Sequence, residues 1–189
     1  MDVKVAIQKR RAYRALVPTN LTPEMLCELG RAAQLAPSCF NKQPWRYVFI
    51  SEPASLELFH SALPDANSWA RDASLIICVI SEKSLDCRMK DGREYYQYDA
   101  GIASGFIMLR ATELGLVAHP MAGYEQSKAK ELLEIPPDMS LLNIIAVGKY
   151  AGNYKDILNK DDISSEEIRP LRKSLSEFIH MNIYGNPFA

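Results

Sequence analysis

Residues 75–80 (LIICVI) are apolar at every position. A strand with one face in water alternates apolar and polar side chains, so an unbroken run rich in β-branched residues predicts a strand covered on both faces. Helices are therefore expected on both sides of a sheet. Residues 45–50 (WRYVFI) and 141–147 (LLNIIAV, ended by Gly148) read as further strands, and 116–118 begins another. Helical patterns lie between them. Thr22-Pro23-Glu24 combines an N-cap, a first-turn proline and an early acid, and Met25, Leu26, Leu29, Ala32, Ala33 and Ala36 hold one face until Pro37 stops the helix. Val3, Ala6 and Ile7 predict a short opening helix with Arg10, Arg11 and Arg14 at its C-terminal end. Residues 94–114 form the longest helical pattern, with Gly115 in place to end it, and 126–133 a short one. Helices interleaved with strands argue for an α/β or α+β layered domain, without giving the strand order.

The chain has 189 residues, enough to bury a core without disulfide or metal support. No repeat or linker divides it, so a single domain over 1–189 is expected. Its tail, 149–189, is polar, irregular and basic around Arg169, Arg172 and Lys173. Phe178, Ile179, Ile183 and Tyr184 need cover, which a partner subunit would provide. A net charge of −1 gives no built-in attraction to nucleic acid or anionic membranes, so neither is expected as a partner. The apolar stretch 100–123 is broken by Arg110, Glu113 and His119, and the N-terminal residues lack a signal-like apolar run. Cys27, Cys39, Cys78 and Cys87 form no close C-x-x-C pair and read as reduced thiols, which places the chain in the cytoplasm.

The usual markers of dinucleotide folds, P-loop enzymes and α/β-hydrolases are missing. His60, His119 and His180 are scattered, so no metal site is expected. Gly101-x-x-x-Gly105 fits close helix packing, or equally a dimer seam. Two features call for more. Arg10-Arg11-Ala12-Tyr13-Arg14 puts three guanidinium groups in five residues, either a solvated basic face or a grip for a phosphate. Residues 36–46 (APSCFNKQPWR) form a proline-stiffened loop with amide and thiol side chains, suited to a polar heterocycle.

In order along the chain, R-R-x-x-R, A-P-S-x-x-N-x-Q-P-W-R, Asn67, Asp99-Ala100-Gly101, Glu113-Leu114-Gly115, Pro120-Met121-Ala122-Gly123, Ile135-Pro136, Ala146-Val147-Gly148 and Arg172-Lys173 resemble the FMN-dependent nitroreductase family. The resemblance implies an α+β fold with a mostly antiparallel or mixed central sheet flanked by helices, in an intertwined homodimer with two FMN sites between the subunits. It implies an NAD(P)H oxidoreductase that reduces nitroaromatic or quinone-like acceptors by ping-pong hydride transfer through flavin N5. No side chain would then be the reacting group.

Carried over residue by residue, Arg10 and Arg11 would hold the FMN phosphate and ribityl end, with Arg172 and Lys173 from the tail. Arg14 would lie at the N1 and O2 edge of the ring and favour its reduced, negatively charged form. Asn67 would bond the pyrimidine edge. Pro37, Ser38, Cys39 and Asn41 would come from the other subunit, and Pro120, Met121, Ala122 and Gly123 would run past the ring with a backbone N–H near N5.

Two departures stand out. Ala12 replaces the family's frequent serine, removing a hydroxyl worth roughly 1 kcal/mol to FMN binding. Ala122 stands where some members carry glutamate, leaving a smaller, uncharged wall beside N5. Cys39 is open to a packing role or a redox role. With no long insertion between Asn67 and Asp99, the substrate site is expected to be open to a range of small aromatic acceptors. Alternatives remain in a same-fold flavoprotein with other chemistry, such as reductive dehalogenation or flavin breakdown, and in a flavin-binding module without catalysis.

Overall fold

The computed structural model describes residues 1–188. Helix α1 (Val3–Lys9) starts under an Asp2 cap, and a two-residue strand β1 (Leu16–Val17) follows. Then come α2 (Pro23–Gln34), β2 (Arg46–Ile50), α3 (Pro53–Phe59), β3 (Leu75–Ser81), α4 (Tyr96–Glu113), β4 (Val117–Met121), α5 (Gln126–Leu132) and β5 (Ser140–Tyr150). Two short helices in the tail, α6 (Tyr154–Ile157) and α7 (Lys160–Glu167), complete the set used below.

Every strand pair is antiparallel. β3 lies between β2 and β5, while the other edge of β5 pairs with β4 and, at its C-terminal end, with β1. All seven residues of β3 are buried: the six apolar ones as their run requires, and Ser81 with its hydroxyl on the Pro44 carbonyl. Because side chains alternate, Ile76, Cys78 and Ile80 join Ile144 and Ala146 on one face, under Phe59, Trp69 and Ala129. Leu75, Ile77 and Val79 join Ile145 and Val147 on the other, under Leu29 and Ala33 of α2 and Ala100, Ala103, Ile107 and Ala111 of α4. The small residues of α4 let it approach the sheet closely. The fold is the expected α+β arrangement of an antiparallel sheet between helical layers.

Local chemistry sets the element ends. The Thr22 hydroxyl accepts from the Met25 N–H at 3.3 Å, with Pro23 in the first turn. α4 closes where Gly115 takes φ +77°, allowing Leu116 N–H to reach the Ala111 carbonyl at 2.8 Å and Gly115 N–H that of Thr112 at 3.1 Å.

Two expectations about local structure are revised. The opening helix stops at Lys9, so the arginine cluster follows it in extended chain rather than ending it. The backbone N–H groups of Arg14 and Ala15 donate to the Glu166 carboxylate, and the Ala15 carbonyl accepts from Ala151, so the segment is satisfied by distant partners. The tail, in turn, is not wholly irregular. Asn159 caps α7 through the Asp162 N–H, and this helix presents Glu166 to the N-terminal segment. Among the described residues no helix is long and apolar enough to cross a membrane.

Candidate functional site

Arg10, Arg11, Ala12 and Arg14 from the N-terminal segment meet Ser165, Arg169, Pro170 and Arg172 from the tail around one cavity of about 220 Å³. His119 of β4 completes its lining. The walls are held by specific bonds. Arg169 donates to the carbonyls of Gln8, at 2.7 Å, and Arg10, at 3.1 Å, where α1 runs out. Arg11 donates to the Ser165 carbonyl at 2.9 Å and lies over the Tyr13 ring at 4.6 Å. Arg14 gives its Nη1 to the Asp162 carboxylate and the Ser165 hydroxyl.

Charge is unevenly balanced in this cavity. Burial lowers the Arg10 pKa from its ordinary value, and the like charges of Arg169 and Arg172 lower it further. A group of cations that repel one another is stabilised by an anion that contacts several at once. His119 Nδ1 lies 3.1 Å from the Tyr13 carbonyl, so that nitrogen carries the proton, and the ring stacks on Trp69 at 4.4 Å. Burial, with Arg14 and Arg10 adding, outweighs the Tyr13 carbonyl bond and holds the His119 pKa below its usual value, disfavouring the charged imidazole.

β4 carries the chain from this cavity towards Asn67. Its side chains alternate: His119 and Met121 turn to the Trp69 side, and Pro120 to the α4 side, where it lines a separate cavity with Ser104 and Asn143. β4 is an edge strand, paired among the described residues with β5 alone, and the chain beyond it exposes Ala122 and Gly123. Asn67 Nδ2 donates to the Gly123 carbonyl at 2.7 Å, while Asn67 Oδ1 accepts from the Trp69 indole at 3.2 Å. A Cβ at position 123 would lie 2.4 Å from Asn67 Nδ2.

The proline-rich loop lies elsewhere in the chain. Pro37, Ser38, Cys39 and Asn41 do not line the arginine cavity; Cys39 N–H donates to Asp99 of α4 at 2.8 Å. Ser38 Oγ accepts from Gln43 N–H at 2.9 Å, and Ser81 Oγ donates to the Pro44 carbonyl at 2.8 Å. Phe40, Asn41 and Gln43 all take positive φ, which packs the loop into a tight knot and leaves Phe40 90% exposed. Lys173 is exposed outside the arginine cavity.

The model of the nitroreductase family matches residues 7–66 and 55–149, which contain the N-terminal arginines, the loop, Asn67 and β4. The chain belongs to the nitroreductase family. It is 28% identical over 180 residues to Protein DrgA of Synechocystis, covering 79% of this chain and 84% of that one. It is 22% identical over 178 residues to an NADH dehydrogenase of Thermus thermophilus, covering 78% and 86%. Among solved structures it resembles an oxidoreductase containing FMN, with TM-score 0.85, 28% identity and coverage of 98% of this chain and 94% of that one.

Within this nitroreductase-family fold, four cavity residues went unassigned in the sequence reading: His119, Ser165, Arg169 and its neighbour Pro170. His119 carried no motif, and its position next to Pro120 on a strand was the only signal available. Arg169 was noted as basic but without a place. Ser165 belongs to a helix whose polar sequence gave no apolar face to read.

Proposed function

We propose that this nitroreductase-family chain binds FMN and acts as an NAD(P)H oxidoreductase on small nitroaromatic or quinone-like acceptors. The observation that carries the reading is the convergence of Arg10, Arg11, Arg169 and Arg172 from both ends of the chain, with Arg10 disfavoured as a cation first by burial and then by the like charges of Arg169 and Arg172. That donor set fits a phosphate dianion. Arg10, Arg11 and Arg172 are assigned to it, with Arg169 fixing the Arg10 backbone. Lys173 is assigned to the approach only.

Asn67 and Gly123 fit the flat end of such a ligand. The Asn67 amide is fixed between a carbonyl and an indole, and the missing Cβ at 123 keeps that place open. Between phosphate and ring, the chain at the free edge of β4 and just beyond it runs from Pro120, which has no N–H, to the backbone N–H groups of Met121, Ala122 and Gly123. Arg14, held by Asp162, is assigned to the electron-accepting edge of the ring, where its charge favours reduction. Bound FMN supplies the two-electron carrier between a nicotinamide and an aromatic acceptor. The protein's own residues bind, orient and tune; none is required as a nucleophile.

A homodimer is part of this proposal. Val3, Ala6, Ala32, Leu35, Phe106 and Leu109 line an open, largely apolar groove of about 620 Å³ between α1, α2 and α4. In the tail, Leu171, Phe178, Ile183 and Tyr184 are exposed on a chain with little else to bury them. Association of two copies buries both surfaces and brings Pro37, Ser38, Cys39 and Asn41 of one copy to the other's site.

The deciding experiment is the visible spectrum of the purified protein before and after anaerobic NADH or NADPH, with the released cofactor identified by chromatography. The expected result is a yellow protein that releases FMN, bleaches with a nicotinamide and gives parallel steady-state lines with a quinone. A colourless protein that takes up no added FMN overturns the reading.

A further inference from the structure

Away from the arginine cavity, three donors from distant parts of the sequence meet. The ligand atoms of Cys39, in the proline-rich loop, and of Asp86 and Cys87, after β3, all lie within 4.8 Å of one another. Among the described residues this is the only such convergence of three. Asp86 is 7% exposed, and its two oxygens are treated differently. Oδ1 accepts the Cys87 N–H at 2.7 Å, which fixes the carboxylate; Oδ2 is buried without a hydrogen-bond partner.

A buried carboxylate oxygen left unpaired is unfavourable, and native structures rarely keep one without a proton, water or cation to answer it. Here its neighbours are two thiols. We propose that Cys39, Asp86 and Cys87 form a site for one divalent cation of the zinc type, bound through two sulfurs and one oxygen. Zinc accepts this mixture of thiolate and carboxylate, whereas magnesium and calcium take oxygen alone. Bond lengths of about 2.0–2.3 Å in a tetrahedral site place ligand atoms about 3.3–3.8 Å apart, so contraction by about an ångström closes the present triangle.

Binding is written as one cation displacing two thiol protons, with the Asp86 carboxylate as the third donor. The three protein donors leave a fourth position to water. Outside the triangle, the Asp99 carboxylate holds the Cys39 N–H, so the loop end is positioned before the cation arrives. A disulfide between the same cysteines uses neither Asp86 nor its orphaned oxygen, which is why the cation is the better reading. Its consequence is mechanical: the knot at residues 37–44 becomes fastened to the segment after β3. Cation binding here needs no FMN, and because Cys39 is also placed at the partner copy's FMN in the proposed dimer, metal binding is read on the flavin-free protein.

The test uses the reduced full-length protein, stripped with a chelator and dialysed against cobalt(II) as a spectroscopic probe for zinc. The site predicts one cobalt per chain and a thiolate-to-cobalt charge-transfer band, with two protons released per metal. Zinc should displace the cobalt and protect two of the reactive thiols. Cys39→Ser and Cys87→Ser should each weaken the band, and Asp86→Asn should keep it while lowering affinity about tenfold or more. Circular dichroism checks that each variant folds, and the wild-type stoichiometry and thiol protection stand without any variant. No cobalt retained by the reduced wild type overturns the proposal. So does a band that persists in the Cys39→Ser, Cys87→Ser double variant, or loss of the two thiols by oxidation in a protein that retains no metal.

Discussion

The Asn67 side chain donates to the Gly123 carbonyl at 2.7 Å, and a methyl group at position 123 would come within 2.4 Å of the same nitrogen. The two residues are matched to each other. Gly123→Ala forces the Asn67 amide to rotate away and lose a bond worth about 1 kcal/mol, so a several-fold weaker FMN dissociation constant is expected. In an Asn67→Ala background the collision is gone, and Gly123→Ala should then have little further effect. Fluorescence titration of FMN across this double-mutant cycle measures the coupling. Additive losses would show that Gly123 acts through something other than Asn67.

At Arg172 the sign of the effect differs between the free and bound protein. Arg172 adds like charge to Arg10, so Arg172→Gln should leave the flavin-free protein as stable or raise its Tm. The same change should weaken FMN binding by about 1.5–3 kcal/mol, roughly tenfold to a hundredfold, because it removes a charged donor to phosphate. Thermal melts without FMN and titrations with it separate the two. A fall in flavin-free stability would mean that Arg172 is a structural contact instead.

How much of this was legible in the sequence follows the range of the interactions involved. The doubly buried β3, the Thr22 cap and the Gly115 stop all depend on residues within a turn or two, and were read with near-correct limits. The arginines stood out as a motif, and Asn67 was singled out through the family resemblance. The supports of the arginines did not stand out: Glu166 satisfies the Arg14 and Ala15 backbone, and Asp162 holds the Arg14 side chain, from about 150 positions away. No periodicity marks such a pair, and the polar sequence of α7 suggested irregular chain. The proximity of Cys39 to Asp86 and Cys87 was not legible for the same reason, since close spacing is what marks such groups in a sequence. β1 is two residues long and has no pattern to detect.

Arg14 and Asp162 form a pair whose members should move the flavin potential in opposite directions. With Arg14 at the ring edge as proposed, Arg14→Ala removes a positive charge there and should lower the potential. The loss of a charged hydrogen bond, about 1.5–3 kcal/mol, corresponds to about 30–60 mV for a two-electron couple. Asp162→Asn leaves Arg14 less neutralised and should raise it. Spectroelectrochemical titration reads both, and a shift of the same sign in the two variants would remove the role assigned to Arg14.

His119 gives the pH dependence a definite direction. Its folded pKa lies below the ordinary 6.5, first because it is buried and then because Arg14 and Arg10 oppose a further positive charge. As pH falls below 6.5 the unfolded chain binds a proton that the folded chain refuses, so stability declines until the folded pKa is passed. His119→Gln retains a donor for the Tyr13 carbonyl and does not titrate. Its stability should therefore be flatter than wild type below neutrality, with the two curves parallel above it. In the proposed complex FMN phosphate would offset the charge of the arginines that oppose His119 protonation, so saturating FMN should shrink the difference between wild type and variant on the acid side. Denaturant melts across this range, with and without FMN, provide the comparison. An equally steep acid decline in His119→Gln would place the responsible group elsewhere.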